Sequence, residues 1–130
     1  MFYCLVVGSR TFTDYSLMCE KLDKLLSRYN SLNVPICIVS GGARGADALA
    51  ERYAIEHDHQ LEVFPADWDK YGKSAGYRRN REMHRFISQM NRSCGCVAFW
   101  DGQSRGTAHN FQLAKEFNIP LRIVRFEASK

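Results

Sequence analysis

At 130 residues, with 45% hydrophobic and 25% charged residues, the chain is long enough to bury one core and too apolar to remain disordered. No apolar run approaches the roughly 20 residues that span a bilayer, and Met1-Phe2-Tyr3-Cys4 opens without a basic leader region, so a cytoplasmic protein with no membrane association is expected. The net charge of +4 is local, because residues 70–92 carry +6 and the rest −2, which argues against a general polyanion-binding surface.

Apolar residues 2–7 read as a buried parallel strand, ended by Gly8. Tyr15, Met18, Cys19, Leu22, Leu25, Leu26 and Tyr29 recur at helical spacing, which predicts a helix over 14–30 with Thr13 as its cap. A second strand follows at 36–39. A helix over 45–57 gathers Ala46, Leu49, Ala50, Tyr53 and Ala54 on one face, small enough for close approach to a sheet. Residues 61–64 form a third strand closed by Pro65, and 65–76 read as a long loop. The next helix covers 77–90 with Met83, Phe86, Ile87 and Met90 turned inward. A fourth strand at 94–100, a helix over 106–117 ended by Asn118 and Pro120, and a fifth strand at 121–126 complete the chain.

Five strands separated by four helices predict one α/β domain over 1–130, with a mostly parallel, doubly wound, Rossmann-like sheet and helices on both faces. Strand order does not follow from these patterns. Five cysteines are present. Cys4, Cys19 and Cys37 sit in apolar positions, and the one-residue spacing of Cys94 and Cys96 fits neither a zinc knuckle nor a redox pair, so buried free thiols and no metal are expected.

Ligands of such sheets bind beyond the carboxyl ends of the strands. Three loops there combine glycine, serine and arginine: Gly8-Ser9-Arg10-Thr11, the stretch from Ser40, Gly41, Gly42 and Arg44 through Gly45 to Asp47, and the stretch from Asp101 through Ser104, Arg105 and Gly106 to Thr107. Glycines let backbone N–H groups approach a phosphate, helix N-termini supply partial positive charge, and hydroxyls and guanidinium groups add donors. Any one of them is equally a tight turn; three on one edge point to a phosphate site. Residues 40–47 lack the Lys-Ser/Thr ending of a Walker A loop and are not G-x-G-x-x-G. Asp47 is expected to serve its helix N-terminus. In the long loop, Trp68 and Lys73 are candidates to cover the ligand, and Arg79 and Asn80, placed in the first turn of a helix, to contact it. Arg78, Arg81 and Arg85 share one stripe that is a solvated face as readily as a contact surface.

The Gly-Ser-Arg after the first strand, Ser-Gly-Gly-Ala-Arg-Gly-Ala-Asp at 40–47, the Trp68-to-Asn80 segment and Trp-Asp-Gly-x-Ser-Arg-Gly-Thr at 100–107 together resemble the YspA/YpsA-related branch of the SLOG superfamily. The resemblance covers nearly the whole chain. It implies a Rossmann-like fold and binding of a nucleotide or nucleotide-derived ligand, such as an ADP-ribose- or NAD-like molecule, and relatives suggest a homodimer. The LOG phosphoribohydrolases of the same superfamily place a glutamate where this chain has His109. The DNA-processing A family, which binds single-stranded DNA, carries a loop like 40–47.

The expected function is therefore nucleotide-phosphate binding by a sensing or ligand-processing domain, with a nucleotide-derived ligand expected and no particular cofactor indicated. Two alternatives accompany it. One is hydrolysis of a nucleotide N-glycosidic bond, with Asp67, Asp69, Glu82, Asp101 or His109 as the acid/base candidates. The other is single-stranded nucleic-acid binding through the basic stretch ending at Arg92.

Overall fold

The computed structural model describes residues 1–89 and 93–127. Five strands, β1 (Phe2–Gly8), β2 (Ile36–Ser40), β3 (Gln60–Val63), β4 (Cys94–Trp100) and β5 (Leu121–Arg125), form one sheet in the order β3-β2-β1-β4-β5. All four pairings are parallel, so the sheet is wholly parallel. The chain winds outward from β1 to β3, then returns to the other side of β1 at β4. The strand order therefore reverses between β1 and β4, and a crevice opens outside their carboxyl ends.

The alternation of β1 divides the core. Cys4 and Val6 face one layer with Met18, Leu22 and Leu26 of α1 (Tyr15–Ser31) and Ala46, Ala50 and Tyr53 of α2 (Ala46–Glu56). Leu5 and Val7 face the other, with Met83 and Ile87 of α4 (Ala75–Ser88) and Leu113-adjacent Ala114 of α5 (Arg105–Glu116). Small residues on α2 let it lie close to the sheet, and Gly8 depends on this: a Cβ there would come within 2.5 Å of the Ala46 Cβ. All five cysteines are free thiols, buried apart from the half-buried Cys19. Burial pushes the Cys37 thiol up to about 11 and the Cys4 thiol to about 12, which leaves both unreactive at neutral pH.

Several local expectations are corrected. The cap of α1 is Asp14, whose carboxylate accepts the Leu17 N–H at 3.0 Å; Thr13 is one residue too early. The segment 65–76 is ordered rather than looped: Asp67 caps a short helix α3 (Trp68–Tyr71), and a 3-10 turn at Gly72–Ser74 runs directly into α4. Helix α4 thus starts at Ala75, not at residue 77, and Arg79 and Asn80 stand in its second turn. Met90 and Arg92, expected to face inward and to extend the basic stretch, lie outside the described residues. Among the described residues no helix is long and apolar enough to cross a membrane.

Candidate functional site

Ser9 holds the crevice together. It is 1% exposed, its N–H donates to the Phe99 carbonyl at 2.9 Å, and its Oγ accepts the Asp101 N–H at 3.2 Å. The loops after β1 and β4 are thereby locked across the point where strand order reverses. The loop after β2 joins them through Gly45, whose φ is +77° and whose Cβ, if present, would lie 2.5 Å from the Ser9 carbonyl oxygen. Ser40 is buried beneath this loop, where its Oγ donates to Glu51 Oε2 at 2.9 Å and accepts the Gly42 N–H at 3.2 Å.

Around this frame lies a cavity of about 400 Å³. Gly8, Ser9, Arg10 and Thr11 form one wall, Asp101, Ser104, Gly106 and Thr107 the opposite one, and Trp68, Lys73, Gly76, Tyr77, Arg79 and Asn80 the cover. Ser104 caps α5 by accepting the Thr107 N–H at 3.3 Å. The first turn of α5 therefore presents N–H groups without intrahelical partners toward the crevice. Arg10 is exposed and sits over the Trp68 ring at 6.0 Å. Arg79 is half-buried; its Nη1 donates to the Gly41 carbonyl and its Nε to Asn80 Oδ1 at 2.9 Å. Asn80 in turn donates from Nδ2 to the Gly106 carbonyl at 3.3 Å, tying α4 to the start of α5.

Two carboxylates line the cavity, and their surroundings push them apart. Asp101 Oδ1 accepts the Ser104 and Gln103 N–H groups at 2.8 Å each, and these bonds hold its carboxyl below the usual range. Asp47 is 7% exposed. Burial raises its carboxyl to about 6, against the opposing effects of the Ala43 N–H and the Arg79 charge. Its Oδ2 accepts the Ala43 N–H at 3.2 Å. Behind the cavity wall, His84 is fully buried and its Nε2–H donates to Asn110 Oδ1 at 3.0 Å, while Asn110 Nδ2 donates to the Gly106 carbonyl at 3.1 Å.

Of the binding residues expected from sequence, Gly8, Ser9, Arg10, Trp68, Lys73, Arg79, Asn80, Asp101, Ser104, Gly106 and Thr107 converge on this cavity. Gly41, Gly42 and Arg44 line an adjoining cavity of about 470 Å³ that shares Arg10, Ala43, Trp68 and Arg79 with the first. Ser40 and Gly45 line neither, and Arg105 is exposed on α5 outside both. Of the acid/base candidates only Asp101 reaches the cavity. Asp67 is spent on capping α3, Asp69 and Glu82 are exposed, and His109 stands behind Asn80 with Tyr77 edge-on against its ring at 4.6 Å. Burial lowers the pKa of His109. Sequence reasoning missed Val7, Gly76, Tyr77, Met83 and Asn110 on the cavity wall, and placed Thr11, Ala43 and Asp47 in the candidate loops without assigning them to the ligand. A helix-start aspartate such as Asp47 carries no sequence signal of which loop it faces. Among the described residues no group of three His, Cys, Asp or Glu side chains is arranged to hold a metal ion.

A wholly parallel Rossmann-like sheet, with a donor-lined cavity at its reversal point, defines the class of domain. Within that class the chain belongs to the YspA, cpYpsA-related SLOG family, whose sequence pattern matches residues 4–71. The Gene 61 protein of Mycobacterium phage D29 is 35% identical over 122 residues, covering 90% of this chain and 91% of that protein. Among solved structures, the DNA processing protein A from Streptococcus pneumoniae superposes with a TM-score of 0.60 at 18% identity, over 95% of this chain and 50% of that one. The chain thus spans half of that protein, and the likeness is one of fold.

Proposed function

We propose that the domain binds a nucleotide or nucleotide-derived phosphate ligand, of the ADP-ribose or NAD kind, at the carboxyl edge of the sheet. The observation that carries this reading is the convergence of Arg10, Lys73 and Arg79 with the first turn of α5 on one cavity. Fixed N–H groups and guanidinium forks are the donors that phosphate oxygens require. The cavity also falls within the roughly 300–1,000 Å³ typical of small-molecule sites, and membership of a SLOG family supports a nucleotide-related role. Five unpaired cysteines fit a reducing cytoplasmic setting.

The other readings draw less support. Glycosidic hydrolysis would need a carboxyl able to exchange a proton at the ligand; Asp101, the one expected candidate on the cavity, is held ionised by two N–H groups, so that role would fall to Asp47, which burial raises to about 6. Arg81 forms a bidentate pair with Glu116, and Arg78 lies over the Tyr71 ring at 4.4 Å. The stripe meant to carry nucleic acid is thus partly engaged in local contacts.

Calorimetric titration with ADP and ADP-ribose tests the reading. Saturable binding is expected, weakened about tenfold or more, or roughly 1.4 kcal/mol, in Arg10→Ala and Arg79→Ala. Arg10 is exposed, and its side chain makes no hydrogen bond among the described residues, so its replacement should leave the domain intact. Absence of saturable binding by either compound, or equal affinities in both variants, would refute the proposal.

A further inference from the structure

Asp47 is out of place in an anion site. A phosphate needs donors, and the cavity supplies them from three cations and a helix start; a carboxylate beside a phosphate would repel it. Yet Asp47 lines the cavity at 7% exposure. Its Oδ2 is occupied by the Ala43 N–H, and its Oδ1 takes no hydrogen bond among the described residues. It forms no ion pair with Arg79 within 4.0 Å among those residues, and Arg79 Nη1 donates to the Gly41 carbonyl. Asp47 Oδ1 is open to the cavity, an acceptor with no protein partner among the described residues on a wall otherwise rich in donors. A ligand that covers such an oxygen removes it from water and must donate to it in return. Asp101, the other cavity carboxylate, has Oδ1 filled by two N–H groups and is only half-buried, against the buried Asp47.

The hydroxyl hydrogens of a sugar are the donors that a nucleotide carries beside its phosphates. We propose that Asp47 accepts hydrogen bonds from the ribose hydroxyls of the bound nucleotide, so that the site selects ribonucleotides over their deoxy counterparts. This rests on the anion-site reading above and deepens it: the phosphates occupy the Arg10 and α5 side, and the diol faces α2. A carboxylate accepting from a ribose hydroxyl is a general solution in dinucleotide folds. A buried acceptor left unpaired by a deoxy analogue is also the strongest form of discrimination against a missing hydroxyl.

The test compares ADP, 2′,3′-dideoxy-ADP and inorganic pyrophosphate by calorimetry on the full chain. The unsubstituted protein is expected to bind ADP at least about tenfold more tightly than the dideoxy analogue. Asp47→Ala should bring the two within about twofold while binding pyrophosphate no more weakly. Asp47→Asn keeps an acceptor for the Ala43 N–H and turns the free oxygen into a donor. It should lose the preference too, and it covers failure of the alanine variant to fold. Equal binding of ADP and the dideoxy analogue by the unsubstituted protein overturns the proposal, as does a preference that survives both substitutions. Binding of pyrophosphate without ADP defeats this inference and leaves the anion site standing. Binding of neither defeats the anion site itself.

Discussion

Gly41 and Gly45 sit four residues apart in one loop and meet opposite fates on gaining a methyl group. At Gly45 the φ of +77° disfavours any side chain, and a Cβ would collide with backbone: the Ser9 carbonyl oxygen at 2.5 Å and the Arg10 Cα at 2.6 Å. Neither neighbour can rotate away. Gly45→Ala should therefore cost on the order of 3 kcal/mol of unfolding free energy, read from urea denaturation. A loss under about 1 kcal/mol would mean that the loops are not packed as tightly as this. At Gly41 the Cβ would approach side-chain atoms, Arg79 Nη1 at 2.7 Å and Asp47 Oδ2 at 2.9 Å. The guanidinium end can move, so Gly41→Ala should cost roughly 1 kcal/mol or less in stability. It should nevertheless weaken ADP binding, because the displaced group is the cation proposed to meet the phosphates. The two alanine variants thus separate what holds the loop from what the loop presents.

Helix α5 is where packing and the site share one element. Its start is fixed by Ser104 at the cap and by Asn110, whose side chain joins the Gly106 carbonyl to buried His84. Ser104→Ala removes the cap acceptor and should cost about 1 kcal/mol. Asn110→Ala strands the His84 Nε2–H in a site where its Nδ1 already has no partner; roughly 1–3 kcal/mol is expected, measured by the same denaturation. These elements also mark how far the sequence could be read. The five strands and four long helices were legible because apolar runs and helical spacing are local signals, and Gly8, Ser9, Arg10, Ser104 and Thr107 followed from knowing which edge of a parallel sheet binds ligands. The short helix α3 was not legible. Its only cues, Asp67 as cap and Gly72 at its end, look like ordinary turn residues in a stretch with no apolar period. Starting α4 at Ala75, two residues earlier, moved Arg79 and Asn80 into its second turn and still left them on the cavity. Asp47 was read as serving its helix start; its Oδ2 accepts the Ala43 N–H of the loop before that helix, which has no side-chain cap. That the same side chain also faces the cavity depends on the strand order β3-β2-β1-β4-β5, which no local pattern encodes.

At the scale of the whole molecule, two buried groups on either side of the crevice give stability opposite dependences on pH. Burial raises Asp47 to about 6 from an ordinary carboxyl value of 3.8. The folded state then holds the proton more tightly than the unfolded chain, so this contribution is fully present below pH 3.8 and is lost as pH rises through about 6. His84 behaves in reverse: burial lowers it to about 4 from 6.5. Its contribution is present above pH 6.5 and is lost as pH falls through about 4. Each shift of some two units corresponds to roughly 3 kcal/mol across its window. Between pH 7 and pH 4.5 the two oppose each other, so the unsubstituted chain should change less than either group alone would dictate. Single substitutions expose them. Asp47→Asn removes the contribution that grows in acid, so this variant should lose stability relative to the unsubstituted chain as pH falls from 7 to 4.5. His84→Gln keeps a donor for Asn110 Oδ1 and removes the group that must charge in acid, so it should gain over the same range. Groups common to all three proteins cancel when urea midpoints are compared at each pH. Parallel profiles for the three would show that neither group titrates away from its ordinary value. Diverging profiles with an Asp47-dependent inflection near pH 6 would establish that the carboxylate on the cavity is ionised at neutral pH, which is the form in which it can accept from a sugar hydroxyl.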